Sequence, residues 1–257
     1  GQKIHFQVCE NGHELELLVA SAIVDMYTKC GHVKDAHYVF NSMPKRNIVS
    51  WSSLISGYAE HGNPEEAIQL FQQMEKDCVK PDEVIFVAIF KVCLKWGMLE
   101  QGKSIHKYAL QMGHKPSFFL GSTLVDMYTK CGSLDDACRV FDEITCPDTA
   151  VCNTMIIGYG QYGFSTSAFH SFRQMQQNGI DLDPITFLGV LSVCSHSGLL
   201  NEGISLFEFL RLSHFMSIIS EHYVCLVDLL GRAGLLGEAI ELIQKMPCQP
   251  APTTWAS

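Results

Sequence analysis

The chain has 257 residues, 47% hydrophobic and 18% charged, with 27 acidic against 18 basic residues and a formal net charge of −9. That apolar share supports a packed core and excludes global disorder. No run nears the roughly 18 apolar residues of a membrane-spanning helix, no basic-then-apolar leader opens the chain, and the acid excess argues against a generic polyanion binder while leaving room for a local basic stripe.

From the N-terminus, Gly1-Gln2-Lys3-Ile4-His5 carries no initiator Met and reads as the interior of a longer protein. It has a counterpart 101 residues on, Gly102-Lys103-Ser104-Ile105-His106. Val24-Asp25-Met26-Tyr27-Thr28-Lys29-Cys30-Gly31 returns at the same offset as Val125-Asp126-Met127-Tyr128-Thr129-Lys130-Cys131-Gly132, and more loosely as Val227-Asp228-Leu229-Leu230-Gly231-Arg232-Ala233-Gly234. Ile55-Ser56-Gly57-Tyr58 pairs with Ile156-Ile157-Gly158-Tyr159, and Val92-Cys93 with Val193-Cys194. So many matches at one spacing establish an internal repeat.

The long period subdivides. A small residue followed by apolar residues at +3, +4 and +7 recurs as Ala36/Val39/Phe40/Met43, Ala67/Leu70/Phe71/Met74, Ala137/Val140/Phe141/Ile144 and Ala239/Leu242/Ile243/Met246, with variants at Ala168/Phe172/Met175 and Gly203/Leu206/Phe207/Leu210. That is a helical face, and the small first residue suits close helix approach. Turn signals precede it at Cys30-Gly31, His61-Gly62, Cys131-Gly132 and Gly198. Asn63-Pro64-Glu65-Glu66 predicts a helix start with an N-cap Asn, Pro at the first position and Glu placed for a capping box. Another apolar helix lies before each turn, so the unit is a helix–turn–helix. A single hairpin cannot bury its own apolar face, whereas stacked neighbours can. The expected fold is all-α, an α-solenoid, and no linker or low-complexity segment interrupts it.

The residues carry a family resemblance. Val125 to Ala137, reading Val-Asp-Met-Tyr-Thr-Lys-Cys-Gly-Ser-Leu-Asp-Asp-Ala, resembles the short repeat of plant pentatricopeptide repeat proteins. Ile48 to Asp82, with Ser50-Trp51-Ser52-Ser53-Leu54-Ile55-Ser56-Gly57-Tyr58 and a closing Val79-Lys80-Pro81-Asp82, is similar to their standard repeat, and Phe187 to Gly203 to their long repeat. The alternation resembles the PLS subclass, the organellar RNA-editing type, whose repeats form a right-handed superhelix. On this register a partial long repeat covers 1–16 and a short unit 17–47. Standard and long units follow at 48–82 and 83–117, then short, standard and long units at 118–148, 149–183 and 184–219, and a last short unit at 220–251. Residues 252–257, after Met246-Pro247-Cys248-Gln249-Pro250 and including Thr253-Thr254-Trp255, resemble the start of the family's C-terminal extension motif.

The resemblance implies that the fifth and last residues of each unit read one base of a single-stranded RNA through its Watson–Crick edge. Ser, Thr or Asn at the fifth position can choose between donor and acceptor arrangements, while Asp at the last supplies acceptors and Asn both. Carried over, Ser21 with Asn47 prefers adenine, Ser52 with Asp82 and Ser122 with Asp148 prefer guanine, and Asn153 with Asp183 prefers uracil. Val87 with Ser117, Leu188 with Ile219, and Val224 with Ala251 have an apolar fifth residue and receive no base. The implied footprint is 5′-A-G-n-G-U-n-n-3′.

By the same resemblance the second residues flank the bases: Leu18, Val49, Val84, Phe119, Ala150 and Ile185, with a charged Glu221 in the last unit. Ordinary packing between helices is the alternative for these. The thirteenth residues are Lys29, Glu60, Lys95, Lys130, Gln161, His196 and Arg232. The resemblance places Lys29, Lys95, Lys130 and Arg232 near phosphates, and cations at helix C-termini also offset the helix dipole.

Other motifs dissolve on inspection. Gly158-Tyr159-Gly160-Gln161-Tyr162-Gly163, with Asp181 beyond, spells a dinucleotide fingerprint. Its counterpart Gly57-Tyr58-Ala59-Glu60-His61-Gly62 reads as a helix end and turn, whereas the fingerprint needs a preceding strand. The eleven cysteines are odd in number and lack Cys-x-x-Cys spacing, so small thiols in a reducing compartment are expected over a disulfide framework. Cys30, Cys131, Cys93 and Cys194 are repeat-matched and expected in the core, and His5 and His106, also matched, are expected as scaffold rather than metal ligands. The zinc deaminase signature His-x-Glu…Pro-Cys-x-x-Cys is missing, and no catalytic constellation, cofactor or metal is expected.

The leading expectation is therefore sequence-selective RNA binding as the target-recognition part of a plant organellar C-to-U editing factor, in mitochondrion or chloroplast. Editing-complex proteins or a deaminase acting in trans would be partners. The alternatives are an α-solenoid scaffold for protein interactions, and an RNA binder for splicing or transcript stabilisation.

Overall fold

The computed structural model of the protein describes residues 2–10, 16–212 and 217–246, and every regular element among them is an α-helix. The chain divides into two compact units, Gly1–Ser133 and Leu134–Ser257. The first holds α1 (Gln2–Glu10), α2 (Leu17–Lys29), α3 (Val33–Ser42), α4 (Ile48–His61), α5 (Pro64–Lys76), α6 (Glu83–Trp96), α7 (Leu99–Gln111) and α8 (Phe118–Lys130). The second holds α9 (Leu134–Glu143), α10 (Thr149–Gln161), α11 (Ser165–Gln177), α12 (Pro184–Ser197), α13 (Leu200–Leu212), α14 (Ser220–Arg232) and α15 (Leu236–Gln244).

Within each unit the hairpins stack in one way. In the first, α2, α4, α6 and α8 pack on one another in order, with α3, α5 and α7 behind them; in the second, α10, α12 and α14 do the same, backed by α11 and α13. The expected helical faces lie in the core. Ala36, Phe40, Ala67, Met74, Ala137 and Ala168 are completely covered. Trp51 and Phe40 meet edge to face at 4.6 Å in the first unit, and Phe172 and Phe187 at 5.7 Å in the second.

Glycines serve two different ends. Gly31 and Gly132 close the α2 and α8 ends at φ +77° and +92°, a conformation L side chains rarely adopt. Gly57 and Gly160 lie inside helices, where a Cβ would come within 2.5 Å of Thr28 Cγ2 and 2.6 Å of Val193 Cγ2 respectively, so they let first helices approach closely. Asn63 caps α5 as expected, its side chain accepting from the Glu65 N–H at 3.1 Å behind Pro64 at the first position. The bond is to Glu65 alone, without the reciprocal bond of a capping box.

The cysteine expectation needs a correction. Cys93 and Cys194 are buried, and burial pushes both thiols up to about 12. Cys30 is exposed and Cys131 only half-buried, because each caps the end of a first helix, where the chain leaves the core. The described cysteines are free thiols. The glycine fingerprint lies on α10 and the turn after it, with no strand among the described residues.

Candidate nucleic-acid interface

The last residue of each proposed repeat from 17–47 to 184–219 is the N-cap of the following first helix. Asn47 caps α4, Asp82 α6, Ser117 α8, Asp148 α10 and Asp183 α12, their side chains accepting from Ser50, Ile85, Leu120, Val151 and Thr186 N–H groups at 2.7 to 3.2 Å. This local chemistry follows from the sequence, since Asn, Asp and Ser are strong caps that satisfy otherwise unpaired amides. Ile219, before α14, has no polar side chain. There His222 Nδ1 accepts from the Ile219 N–H at 3.1 Å, while its Nε2 donates to the Pro184 carbonyl at 2.7 Å. Burial holds the His222 imidazole below its usual pKa, although the Pro184 bond and Glu221 pull the other way.

Two fifth residues are joined to their last-position partners. The Ser21 hydroxyl is shared between the Leu17 carbonyl at 2.6 Å and Asn47 Oδ1 at 3.2 Å. Asn153 Nδ2 donates to Asp183 Oδ1 at 2.9 Å, and the same oxygen takes the Thr186 N–H at 2.7 Å and the Thr186 hydroxyl at 2.9 Å. Burial raises the Asp183 carboxyl, but the Thr186 backbone and hydroxyl bonds, the Asn153 bond and the Ile185 amide outweigh it and hold it below the ordinary carboxylate range. Ser21 is 3% and Asn153 5% exposed, and Asn153 Oδ1 is a covered acceptor without a hydrogen-bond partner.

The other pairs differ. No hydrogen bond joins Ser52 to Asp82, both half-buried. The Ser122 hydroxyl turns back to the Phe118 carbonyl at 2.5 Å, and Asp148 caps α10. Val87 is buried, Ser117 is exposed and donates to Glu83, and Leu188 and Val224 are half-buried. Ala251 and the segment 252–257 lie outside the described residues.

The second residues sit at helix starts and face solvent. Leu18 is 79% exposed and Phe119 53%, while Val49, Val84 and Ile185 are likewise exposed, as are Ala150 and Glu221. Packing between helices does not account for them, because their apolar surface is left uncovered. The thirteenth residues lie in the last turn of first helices. Lys29 pairs with Asp25 at 2.7 Å, Lys130 with Asp126 at 2.8 Å and Arg232 with Asp228 at 2.9 Å, all one helical turn apart. Lys95 Nζ approaches the Glu60 carbonyl at 3.5 Å. Lys29 and Glu60 share a cleft of about 230 Å³ with Ser52, Ser53 and Ser56, so fifth and thirteenth positions open on one side.

Sequence reasoning missed a second layer. His5, His37 and His106 each place Nδ1 against the hydroxyl of a first-helix tyrosine (Tyr27, Tyr58 and Tyr128) at 2.7 to 3.0 Å, and Cys138 takes that place against Tyr159 at 3.3 Å. The recurring Tyr and the matched His5 and His106 were visible in the repeat alignment; the bond that joins them across hairpins was not. Among the described residues no three His, Cys, Asp or Glu side chains gather to hold a metal, and no helix is long and apolar enough to cross a membrane.

Comparison with known proteins adds an independent line. The profile of the PPR repeat family matches residues 46–95, and that of the PPR repeat matches 19–48, 122–146, 150–180, 185–215 and 221–249, together more than half the chain. A chloroplastic pentatricopeptide repeat-containing protein of Arabidopsis thaliana, CRR2, is 40% identical across 100% of this chain, which spans 39% of it. A putative pentatricopeptide repeat-containing protein of the same plant is 36% identical over 100% of the chain and 44% of its own length. The chain thus spans about two fifths of the length of these relatives. Among solved structures, the pentatricopeptide repeat protein PPR10 in complex with an 18-nucleotide psaJ RNA element superposes with a TM-score of 0.89 at 21% identity, over 99% of this chain and 39% of that one. PPR10 from maize gives 0.64 at 19% identity, over 91% of this chain and 35% of that one. The fold class is that of these proteins, an α-solenoid of helical hairpins.

Proposed function

The chain belongs to the pentatricopeptide repeat family, and on that premise we propose that it binds single-stranded RNA with base preference, as the target-recognition part of an organellar C-to-U editing factor. The joined Asn153 and Asp183 side chains support this most directly. An amide and a carboxylate held edge to edge offer both a donor and acceptors to a base, and Asn153 Oδ1 is an acceptor lacking a partner, suited to the N3–H of uracil. Because that oxygen is covered, binding requires the Asn153 amide to swing toward the base. The exposed Leu18, Val49, Val84, Phe119 and Ile185 supply apolar faces for unstacked bases.

Ser21 with Asn47, Ser52 with Asp82, Ser122 with Asp148, and Asn153 with Asp183 select A, G, G and U, giving 5′-A-G-n-G-U-n-n-3′. The array works in a plant mitochondrion or chloroplast, and deamination is supplied by another domain or by a partner. The four cations at the thirteenth positions meet the phosphates, and Lys29, Lys130 and Arg232 exchange weak same-helix ion pairs for RNA contacts.

The test is binding of the footprint RNA and its single-base permutations by fluorescence anisotropy at fixed salt. Each readable position should discriminate by up to about 1–3 kcal/mol, and equal affinity for every permutation overturns the reading. Asn153→Thr with Asp183 retained should move preference at that base from U toward G. Failure to bind any of these RNAs, together with binding to peptides, would favour a protein-interaction scaffold.

A further inference from the structure

The structure distinguishes two kinds of last-position side chain. Asn47 and Asp183 sit in reciprocal capping boxes. Ser50 Oγ accepts from the Asn47 N–H at 3.2 Å while Asn47 Oδ1 accepts from the Ser50 N–H, and Thr186 Oγ1 accepts from the Asp183 N–H at 3.1 Å while Asp183 Oδ1 accepts from the Thr186 N–H and hydroxyl. Asp82 and Asp148 cap in one direction only, because the third helical residues, Ile85 and Val151, have no hydroxyl. The two boxed side chains are the ones bonded to their fifth residues, Ser21 and Asn153.

Ser52 provides the control. It is the same residue type as Ser21, and the Asp82 carboxylate is a stronger acceptor than the Asn47 amide, so intrinsic chemistry favours the Ser52–Asp82 bond. That bond is absent and the Ser21–Asn47 contact is present, which follows the box rather than the acceptor.

Resting on the RNA-binding reading above, we propose that the third residue of the following repeat, Ser50 or Thr186, is a positioning residue for base selection: its hydroxyl fixes the capping residue, through the N–H and Oδ1 of Asp183 at Thr186 and through the N–H and carbonyl of Asn47 at Ser50, and so holds the last-position side chain against the fifth. A hydroxyl on the next helix leaves the cap one orientation, with Oδ1 committed to the box and the fifth residue; at Asp183, Oδ2 takes part in none of the three bonds made by Oδ1. Without the hydroxyl, the cap is held by one amide and can turn. The two kinds of repeat then differ in selectivity although their reading pairs are of similar polarity.

The experiment compares the chain with Thr186→Val and Thr186→Ser on RNAs differing only at the base facing the 149–183 unit. Thr186 is fully buried, so Val preserves the packing shape. Discrimination should fall about threefold to tenfold in Thr186→Val, the loss of the hydroxyl's bond to the Asp183 side chain, return in Thr186→Ser, and leave affinity for an unrelated RNA within about twofold. A uniform loss on all RNAs, or unchanged discrimination, overturns the proposal. If the parent chain does not discriminate at that base, the RNA reading fails instead, and an RNA-free measurement decides this one. The Asp183 carboxyl, followed by NMR, should titrate at higher pH in Thr186→Val, and an unmoved titration overturns it. Should Thr186→Val not fold, Ile85→Thr builds the missing box behind Asp82. It should raise discrimination at the 48–82 base by several-fold, and no gain counts against the proposal.

Discussion

A missing methyl group at Gly57 sets how closely α4 meets α2. A Cβ there would lie 2.5 Å from Thr28 Cγ2 and 2.8 Å from its Cβ, next to a β-branched residue that cannot rotate away. Gly57→Ala should therefore cost about 1–3 kcal/mol by overpacking, against a helix-propensity gain of under about 1. Urea denaturation checks the sign, with the exposed Gly237 in the first turn of α15, where an added Cβ meets nothing, as the control. His222 adds a pH dependence. Its Nδ1 accepts an amide and its Nε2 donates to a carbonyl, so only the neutral ring fits. With the folded pKa lowered, this contribution is complete above the unfolded value of about 6.5 and is lost as pH falls through the folded value. Unfolding curves at pH 7.5 and 5.5 should show a larger acid loss for the parent than for His222→Gln, whose amide can cap at the same helical position.

At the scale of the helix, the N-cap and the proposed base contact are one side chain. Asp183→Ala should destabilise by about 1 kcal/mol while removing base selection, whereas Asp183→Asn should keep stability within a few tenths. Melting measured beside RNA binding separates the two effects. The helices themselves were legible: Ala36, Val39, Phe40 and Met43 announced a buried helical stripe, and all four are buried. Periodicity reports which face of a helix is apolar. It does not report what the next hairpin brings against that face, which is why the His37–Tyr58 bond, the Ser53 hydroxyl on Asp25 and the exposure of Cys30 were not read in advance. The pairing of Asn153 with Asp183 came from family resemblance; no rule of spacing joins residues 30 apart.

For the whole molecule, the charge of −9 means that binding to a polyanion must rest on placement. Three of the four candidate phosphate cations are already paired with an Asp on their own helix. Exposed pairs of this kind contribute little to stability, so a phosphate can displace the Asp. Lys130→Gln should flatten the dependence of log K on log salt by about 0.7, the value for one contact to a single strand. Asp126→Asn, which releases Lys130, should tighten binding at low salt severalfold and lose that advantage as salt rises. Anisotropy titrations across a salt series read both. The exposed apolar second residues are likewise invisible to composition, since a chain that is 47% hydrophobic gives no sign of which few side chains are left uncovered.

The double duty of the capping residue limits the alphabet in which such an array can be spelled. A side chain that must open a helix and also be offered to a nucleobase has to be short and polar, so the letters are Asn, Asp, Ser and Thr, and drift outside them is penalised before any ligand is met. Ile219 shows what leaving that alphabet does to the helix: the start passes to His222, and the proposed reading assigns no base there. Changes of target would then be confined to a small vocabulary by the grammar of helix initiation, independently of selection for the target itself.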